Sequence, residues 1–168
     1  MNTLVDLSST IDEHQFREAL GHYASGVALI SGMDQGEPVG FTCQSFYSVS
    51  VEPPLVSFSV AASSTSYPRI RRSGRFGVSV LAIDQRRLSR QLARSGPHKW
   101  RGVDWRPSPA GSPLVCGAVM WLDCTISAEY EAGDHSIVLG RVDFMRAAPG
   151  APDPLVYHRG RYRALAKP

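Results

Sequence analysis

Along most of this chain apolar and polar positions alternate in short runs, and helical spacing shows in only a few places. Phe16, Leu20 and Tyr23 recur three or four residues apart, the spacing of one helix face. Thr10 followed by Glu13 reads as a capping box, so the pattern predicts a helix from Ile11 to about Ala24, ending before Gly26. Val27 to Ser31 is a short apolar strand. Met33-Asp34-Gln35-Gly36 has turn chemistry, and a strand returning from Glu37 should pair with the first as a hairpin. Leu55 to Val60 predicts another strand, and the small-residue loop Ala61 to Ser66 runs into a short helix at Tyr67-Pro68 that Gly74 closes. Arg75 to Leu81 is a strand, and Asp84 caps a basic helix through Arg94 with Leu88 and Leu92 four apart. From Gly96 to Pro113 periodicity vanishes. Gly117 to Glu129 then alternates, with Ala118, Met120, Leu122, Cys124 and Ile126 on one face. Glu131 to His135 turns the chain, Ile137 to Met145 returns antiparallel, and residues 149–154 form a Pro-rich loop. Leu155 to His158 and Arg161 to Leu165 make a last hairpin around Arg159-Gly160.

Six or seven strands, short turns and few helices predict a mainly β fold, an antiparallel barrel with two or three helices over its ends and side. Strands and long helices do not alternate, which disfavours a doubly wound sheet. The 168 residues are expected to form one domain over 11–168 behind an N-terminal tail, 1–10. A content of 43% hydrophobic and 20% charged residues is that of an ordinary soluble protein. With no apolar run long enough for a bilayer and no signal-peptide pattern at Met1 to Thr10, no membrane association is expected. The cytoplasm is the expected compartment, because Cys43, Cys116 and Cys124 form no C-x-x-C pair and leave an odd thiol.

Candidate chemistry concentrates in Gly40 to Pro54, a segment with strand-like content that Pro53-Pro54 stops. The positions alternating with its apolar residues carry Thr42, Gln44, Ser48 and Ser50, with Cys43 and Ser45 between them. Such side chains fit either an edge strand with a solvated face or a site for a planar polar ring or a phosphate. The hydroxyls of Ser63, Ser64 and Thr65 precede a helix, where they either cap it or help seat a phosphate. In the long loop, Lys99 beside Trp100 can hold a phosphate and stack on an aromatic ring, while Trp100 serves equally as a hydrophobic anchor. Arginines 69, 71, 72, 75, 86, 87, 90 and 94 form a basic region. It reads as a solvated face or as the rim of a site for a phosphorylated cofactor; nucleic-acid binding is disfavoured, since no aromatics interleave. Dinucleotide and P-loop glycine motifs and a G-x-S-x-G elbow are all missing. The five histidines show no metal-ligand spacing, so no metal is expected. His14 and His22 read as surface residues, and His135 is a turn histidine that is ordinarily structural.

The ordered set of motifs nevertheless resembles a known family. Phe16-Arg17-x-Ala19-Leu20-Gly21, Gly26-Val27, Gly40-Phe41-Thr42-x-x-Ser45-Phe46-x-Ser48-Val49-Ser50-x-x-Pro53-Pro54-Leu55-Val56 and Ser73-Gly74-Arg75-Phe76 come first. Gly111-Ser112-Pro113-Leu114, Gly133-Asp134-His135-x-Ile137-x-x-Gly140-Arg141-Val142 and Pro154-Leu155-Val156-Tyr157-His158-Arg159-Gly160-x-Tyr162 follow. Together they are similar to the flavin reductase components of two-component monooxygenases, over about residues 14 to 165. The resemblance implies an FMN-binding split barrel of antiparallel Greek-key type, usually a homodimer with flavin near the subunit interface. It implies oxidation of NADH or NADPH, reduction of FAD or FMN, and delivery of reduced flavin by diffusion to a separate monooxygenase. It also implies that Thr42, Cys43, Gln44, Ser45, Ser48, Val49 and Ser50 line the flavin ring and ribityl chain. Ser63, Ser64 and Thr65 would approach the phosphate, with His135 beside the nicotinamide. Cys43-Gln44 departs from the small or polar pairs that many relatives carry there.

Hydride transfer between two rings needs no protein nucleophile, so such a protein would stack and orient its partners and stabilise charge arriving on the flavin. Tyr157 and Arg159 join His135 as candidates for holding the nicotinamide. A rival reading is a split barrel that binds flavin or haem without turnover, as a carrier or sensor.

Overall fold

The computed structural model describes residues 10–150 and 152–166; the tail expected at 1–10 lies outside them except for its last residue. Its first element is α1 (Glu13–Gly21), capped by Asp12 rather than Thr10. The Gln15 amide donates to Asp12 Oδ1 at 2.8 Å and the Asp12 amide to Gln15 Oε1 at 3.3 Å. Thr10–Glu13 and Asp12–Gln15 have the same spacing, and Asp is the stronger cap of the two. The helix stops short of Ala24, because Ser25 and Gly26 already pair as β1 with β11 (Val156–His158).

Seven strands form the main sheet: β2 (Ala28–Asp34), β3 (Glu37–Cys43), β4 (Tyr47–Ser50), β5 (Leu55–Ala61), β6 (Arg75–Val80), β9 (Met120–Ala132) and β10 (His135–Ala147). Their order is β3-β2-β6-β9-β10-β5-β4, and every pairing is antiparallel. β2 and β3 meet through Gln35-Gly36, both at positive φ (52° and 82°), the twist that a two-residue hairpin requires. The uninterrupted strand expected beyond Gly40 breaks at Gln44. Its two halves, β3 and β4, stand at opposite edges of the sheet, yet only residues 44–46 join them. A connection that short forces the edges together, so the sheet curls into a barrel. Register shifts in β9–β10 at Leu139/Gly140 and Val142/Phe144 add the local bend that this curvature needs.

The barrel interior is filled by Ile30, Phe58, Phe76, Val78, Leu122, Cys124 and Val138. Phe58 sits at its centre, edge-on to Phe76 (5.1 Å between ring centroids), Tyr67 (5.9 Å) and Phe41 (6.0 Å). A second apolar layer, Val27, Leu29, Leu81, Leu92, Val115 and Leu155, lies outside the barrel. It involves α3 (Arg86–Leu92), the long loop after it, and the last strands. β2 is therefore buried on both faces, which is why its sequence shows an apolar run instead of alternation. The helix after β5 is a short α2 (Tyr67–Arg71). The long loop, expected to be structureless, contains a hairpin of β7 (Trp105–Pro107) and β8 (Pro113–Val115). Its turn is pinned to β9 through the fully buried Asp123, which accepts hydrogen bonds from Ser108, Ser112 and Arg75. β11 and β12 (Arg161–Arg163) close the chain as the expected last hairpin.

Gly140 marks the tightest packing. A Cβ there would sit 2.3 Å from Phe76 Cζ, so the ring occupies the space a side chain would need. Gly140→Ala is expected to destabilise the fold by roughly 1–3 kcal/mol, read as a lower urea midpoint with an unchanged slope. A midpoint equal to that of the unsubstituted protein would show that Phe76 has room to move.

Candidate active site

The barrel seam and the helix beside it enclose one polar cleft of about 570 Å³, within the roughly 300–1,000 Å³ of ordinary ligand sites. Its floor begins at Phe41 to Ser45, where β3 ends, and continues across the seam to Ser59, Val60 and Ala61 of β5. Ser45 holds the two sides together. Its Oγ accepts from the Ser59 amide at 2.8 Å and donates to the Ser59 carbonyl at 3.1 Å. That hydroxyl is thus committed to the seam, and it leaves Thr42 and Gln44 as the side chains with spare hydrogen-bonding capacity. Cys43 Sγ rests 3.2 Å from Ser45 Oγ, and burial pushes its thiol pKa up. It is a packing thiol, because a nucleophile would need the thiolate.

One end of the cleft gathers hydroxyls around a cation. Ser63, Ser64, Thr65 and Ser66 follow β5 and bring a row of hydroxyls together. Ser64 Oγ accepts from the Tyr67 amide at 3.2 Å, while Lys99 Nζ donates to Ser66 Oγ at 2.9 Å. Burial, and then the nearby charge of Arg69, pull the Lys99 pKa below the ordinary lysine value. No acidic group among the described residues pairs with Lys99, and neither Asp nor Glu lines the cleft, whereas Arg94, Lys99 and His135 do. A half-buried ammonium that donates to a hydroxyl and has no carboxylate partner gains most from an anionic ligand.

Lys99 and Trp100 part company. Gln91, on α3, donates to the carbonyls of Lys99 and Arg101 at 2.9 and 3.0 Å and sets the loop's path. Lys99 then enters the cleft, while Trp100 turns into the outer apolar layer beside Trp105. The Trp100 ring lies so close over Gly40 that a Cβ there would come within 2.9 Å of it. Trp100 is an anchor in this arrangement, and the absence of a side chain at Gly40 makes room for it. Ser48, Val49 and Ser50 also fall outside the cleft, on β4 beyond the seam.

His135 opens β10 at the rim, across from Ala61. Its Nδ1 lies 2.8 Å from Asp134 Oδ1 with the ring about half exposed, and this hydrogen bond holds the Asp134 carboxyl below its usual pKa. The geometry brings Thr42, Cys43, Gln44, Ser45, Ser63, Ser64, Thr65, Lys99 and His135 to one cavity. It also brings in Tyr157, a sequence candidate for holding the nicotinamide, and Arg94 of the basic region, and adds Ser59, Ser66, Ser89, Ser95 and Tyr162, which the sequence pattern does not single out. Ser59 had a local signal, since Ser57 and Ser59 alternate with Val56, Phe58 and Val60. Tyr157 and Tyr162 arrive from the last hairpin, which no local pattern could place here. No carboxylate in the cleft can act as a base and no activated nucleophile is present, so the arrangement suits holding a ring and a phosphate. Among the described residues no group of three or more His, Cys, Asp or Glu is set to hold a metal ion.

Comparison with known proteins agrees with this architecture. Residues 20–166 match the flavin reductase like domain. Reductase subunit HsaB of a flavin-dependent monooxygenase from Mycobacterium tuberculosis is 40% identical over 160 residues, which cover 95% of this chain and 86% of that protein. The crystal structure of nitrilotriacetate monooxygenase component B from Mycobacterium thermoresistibile superposes with a TM-score of 0.89 at 39% identity, covering 92% of this chain and 87% of that one. The NADH:FAD oxidoreductase SgcE6 of Streptomyces globisporus C-1027 gives 0.87 at 36% identity, covering 98% of each chain. With its barrel, its seam cleft and these relatives, the chain belongs to the flavin reductase like domain family.

Proposed function

We propose that this protein oxidises NADH or NADPH and reduces FAD or FMN, releasing the reduced flavin to a separate monooxygenase. The observation that carries the reading is the seam cleft: a hydroxyl-lined floor, a cationic end and no carboxylate. When bound, flavin supplies the ring that accepts a hydride from the reduced nicotinamide. The chain's own residues bind and orient. Thr42, Gln44 and the backbone at the end of β3 offer hydrogen bonds to a polar ring edge. Lys99 with Ser63 to Ser66 seats a phosphate. His135, steadied by Asp134, stands at the open rim where a second ring enters. A cleft this open also lets a reduced product leave, as a supplier of diffusible flavin requires.

The protein is also proposed to act as a homodimer. Phe16, Leu20 and Tyr23 of the α1 segment remain 54%, 57% and 80% exposed, and no residue of α1 is buried. A second copy covering this face would explain an amphipathic helix that buries nothing within its own chain. The cytoplasm remains the proposed compartment, supported by three unpaired thiols. No helix among the described residues is long and apolar enough to cross a membrane.

Mixing the protein with NADH and free flavin should give a steady fall in absorbance at 340 nm. Flavin binding without that fall would instead favour a non-catalytic carrier. Lys99→Met is expected to weaken flavin binding about tenfold or more, whereas His135→Ala should raise KM for the nicotinamide and leave flavin affinity unchanged. The opposite pattern would exchange their assigned roles. In light scattering, Phe16→Glu with Leu20→Glu should halve the mass in solution; an unchanged mass would place any dimer contact elsewhere.

A further inference from the structure

A second groove of about 440 Å³ adjoins the cleft, lined by Arg86, Arg90, Tyr157, Gly160, Arg161 and Tyr162. The two cavities share one wall, because Tyr157 and Tyr162 line both. Those rings stand edge-on with centroids 5.3 Å apart, and the Tyr162 hydroxyl lies 2.9 Å from Ser89 Oγ. The wall is thereby tied to α3, which runs beside both spaces. Arg86, Arg90 and Arg94 recur every fourth residue and so follow one edge of that helix. The first two line the groove, while Arg94, just past the helix end, lines the cleft.

These arginines differ from those of the basic region at positions 69–75. Arg69 and Arg72 bind Asp34, Arg71 binds Glu129, and Arg75 binds Asp123 and Asp143. Arg86, Arg90 and Arg161 form no ion pair among the described residues. Arg90 is held 5.5 Å over the Tyr162 ring, which steadies its guanidinium without neutralising it. Nor do these side chains all serve the helix: Arg86 stands in a first turn that holds no acid, where the macrodipole disfavours a cation.

We propose that this groove is a second subsite, taking the adenosine diphosphate end of a dinucleotide whose reactive ring lies in the cleft. The proposal rests on the reading of the cleft as a flavin site and adds to it a basis for preferring FAD over FMN. Two donors of that end are possible, the flavin dinucleotide and the nicotinamide dinucleotide, and the same variants separate them.

Equilibrium binding of FAD and of FMN, followed by flavin fluorescence, should be compared in the unsubstituted protein, Arg86→Ala/Arg90→Ala and Arg87→Ala. Arg87 leaves α3 toward a different groove and controls for the loss of charge. With a flavin donor, the double variant loses about tenfold or more in FAD affinity and keeps its FMN affinity. With a nicotinamide donor, both flavin affinities hold and KM for NADH, measured with FMN as acceptor, rises by a similar factor. Equal losses for FAD and FMN, no change in any of the three quantities, or the same losses in Arg87→Ala would overturn the subsite. Failure of the unsubstituted protein to bind either flavin would remove the cleft reading itself, and the subsite with it.

Discussion

The structure depends on a short bridge across the barrel seam. β3 and β4 lie at the two ends of the sheet order, and only Gln44, Ser45 and Phe46 connect them. So short a link leaves the sheet no freedom to stay open. Ser45 completes the closure by giving Ser59 of β5 one donor and one acceptor where β4, which pairs only with Leu55 to Ser57, no longer reaches it. Two of these three residues, Gln44 and Ser45, also line the cleft, while Phe46 packs against the barrel core. The small hydroxyl of Ser45 suits both tasks, since it satisfies the Ser59 backbone without filling the space above it.

Around this seam the outer layer sets the remaining geometry. α3 packs Leu92 inward, turns Ser89 toward the cleft wall, and uses Gln91 to fix the path of the loop that delivers Lys99. Trp100 locks that loop by lying over Gly40 of β3. The cationic end of the cleft is consequently positioned by apolar packing one residue away. The charge is held in place by a neighbour that packs outside the cleft.

Much of this was legible in the chain. Local signals carried far where the relevant contacts are local, as in the Asp34–Glu37 hairpin and the long β9–β10 pair. They failed at Gly40 to Pro54, where hydroxyls at alternating positions suggest one strand. Nothing in side-chain periodicity tells that the chain leaves one sheet edge and resumes at the other. The first cap was missed because two overlapping pairs satisfy the same rule. Motif resemblance supplied the family and the Ser45 and His135 regions. It did not separate Ser48, Val49 and Ser50, on the far side of the seam, from Thr42 to Ser45 in the cleft. Tyr157 and Tyr162 reach the site only through tertiary folding, and a Lys-Trp pair reads the same whether its members face one side or two.

The most direct test of the seam as a flavin cradle is a crystal structure of the protein with FMN bound. The account predicts the ring against Thr42 to Ser45 and the phosphate among Ser63 to Ser66 and Lys99, with the Ser45–Ser59 hydrogen bonds intact. A flavin bound elsewhere, or a seam that opens to admit it, would contradict the account.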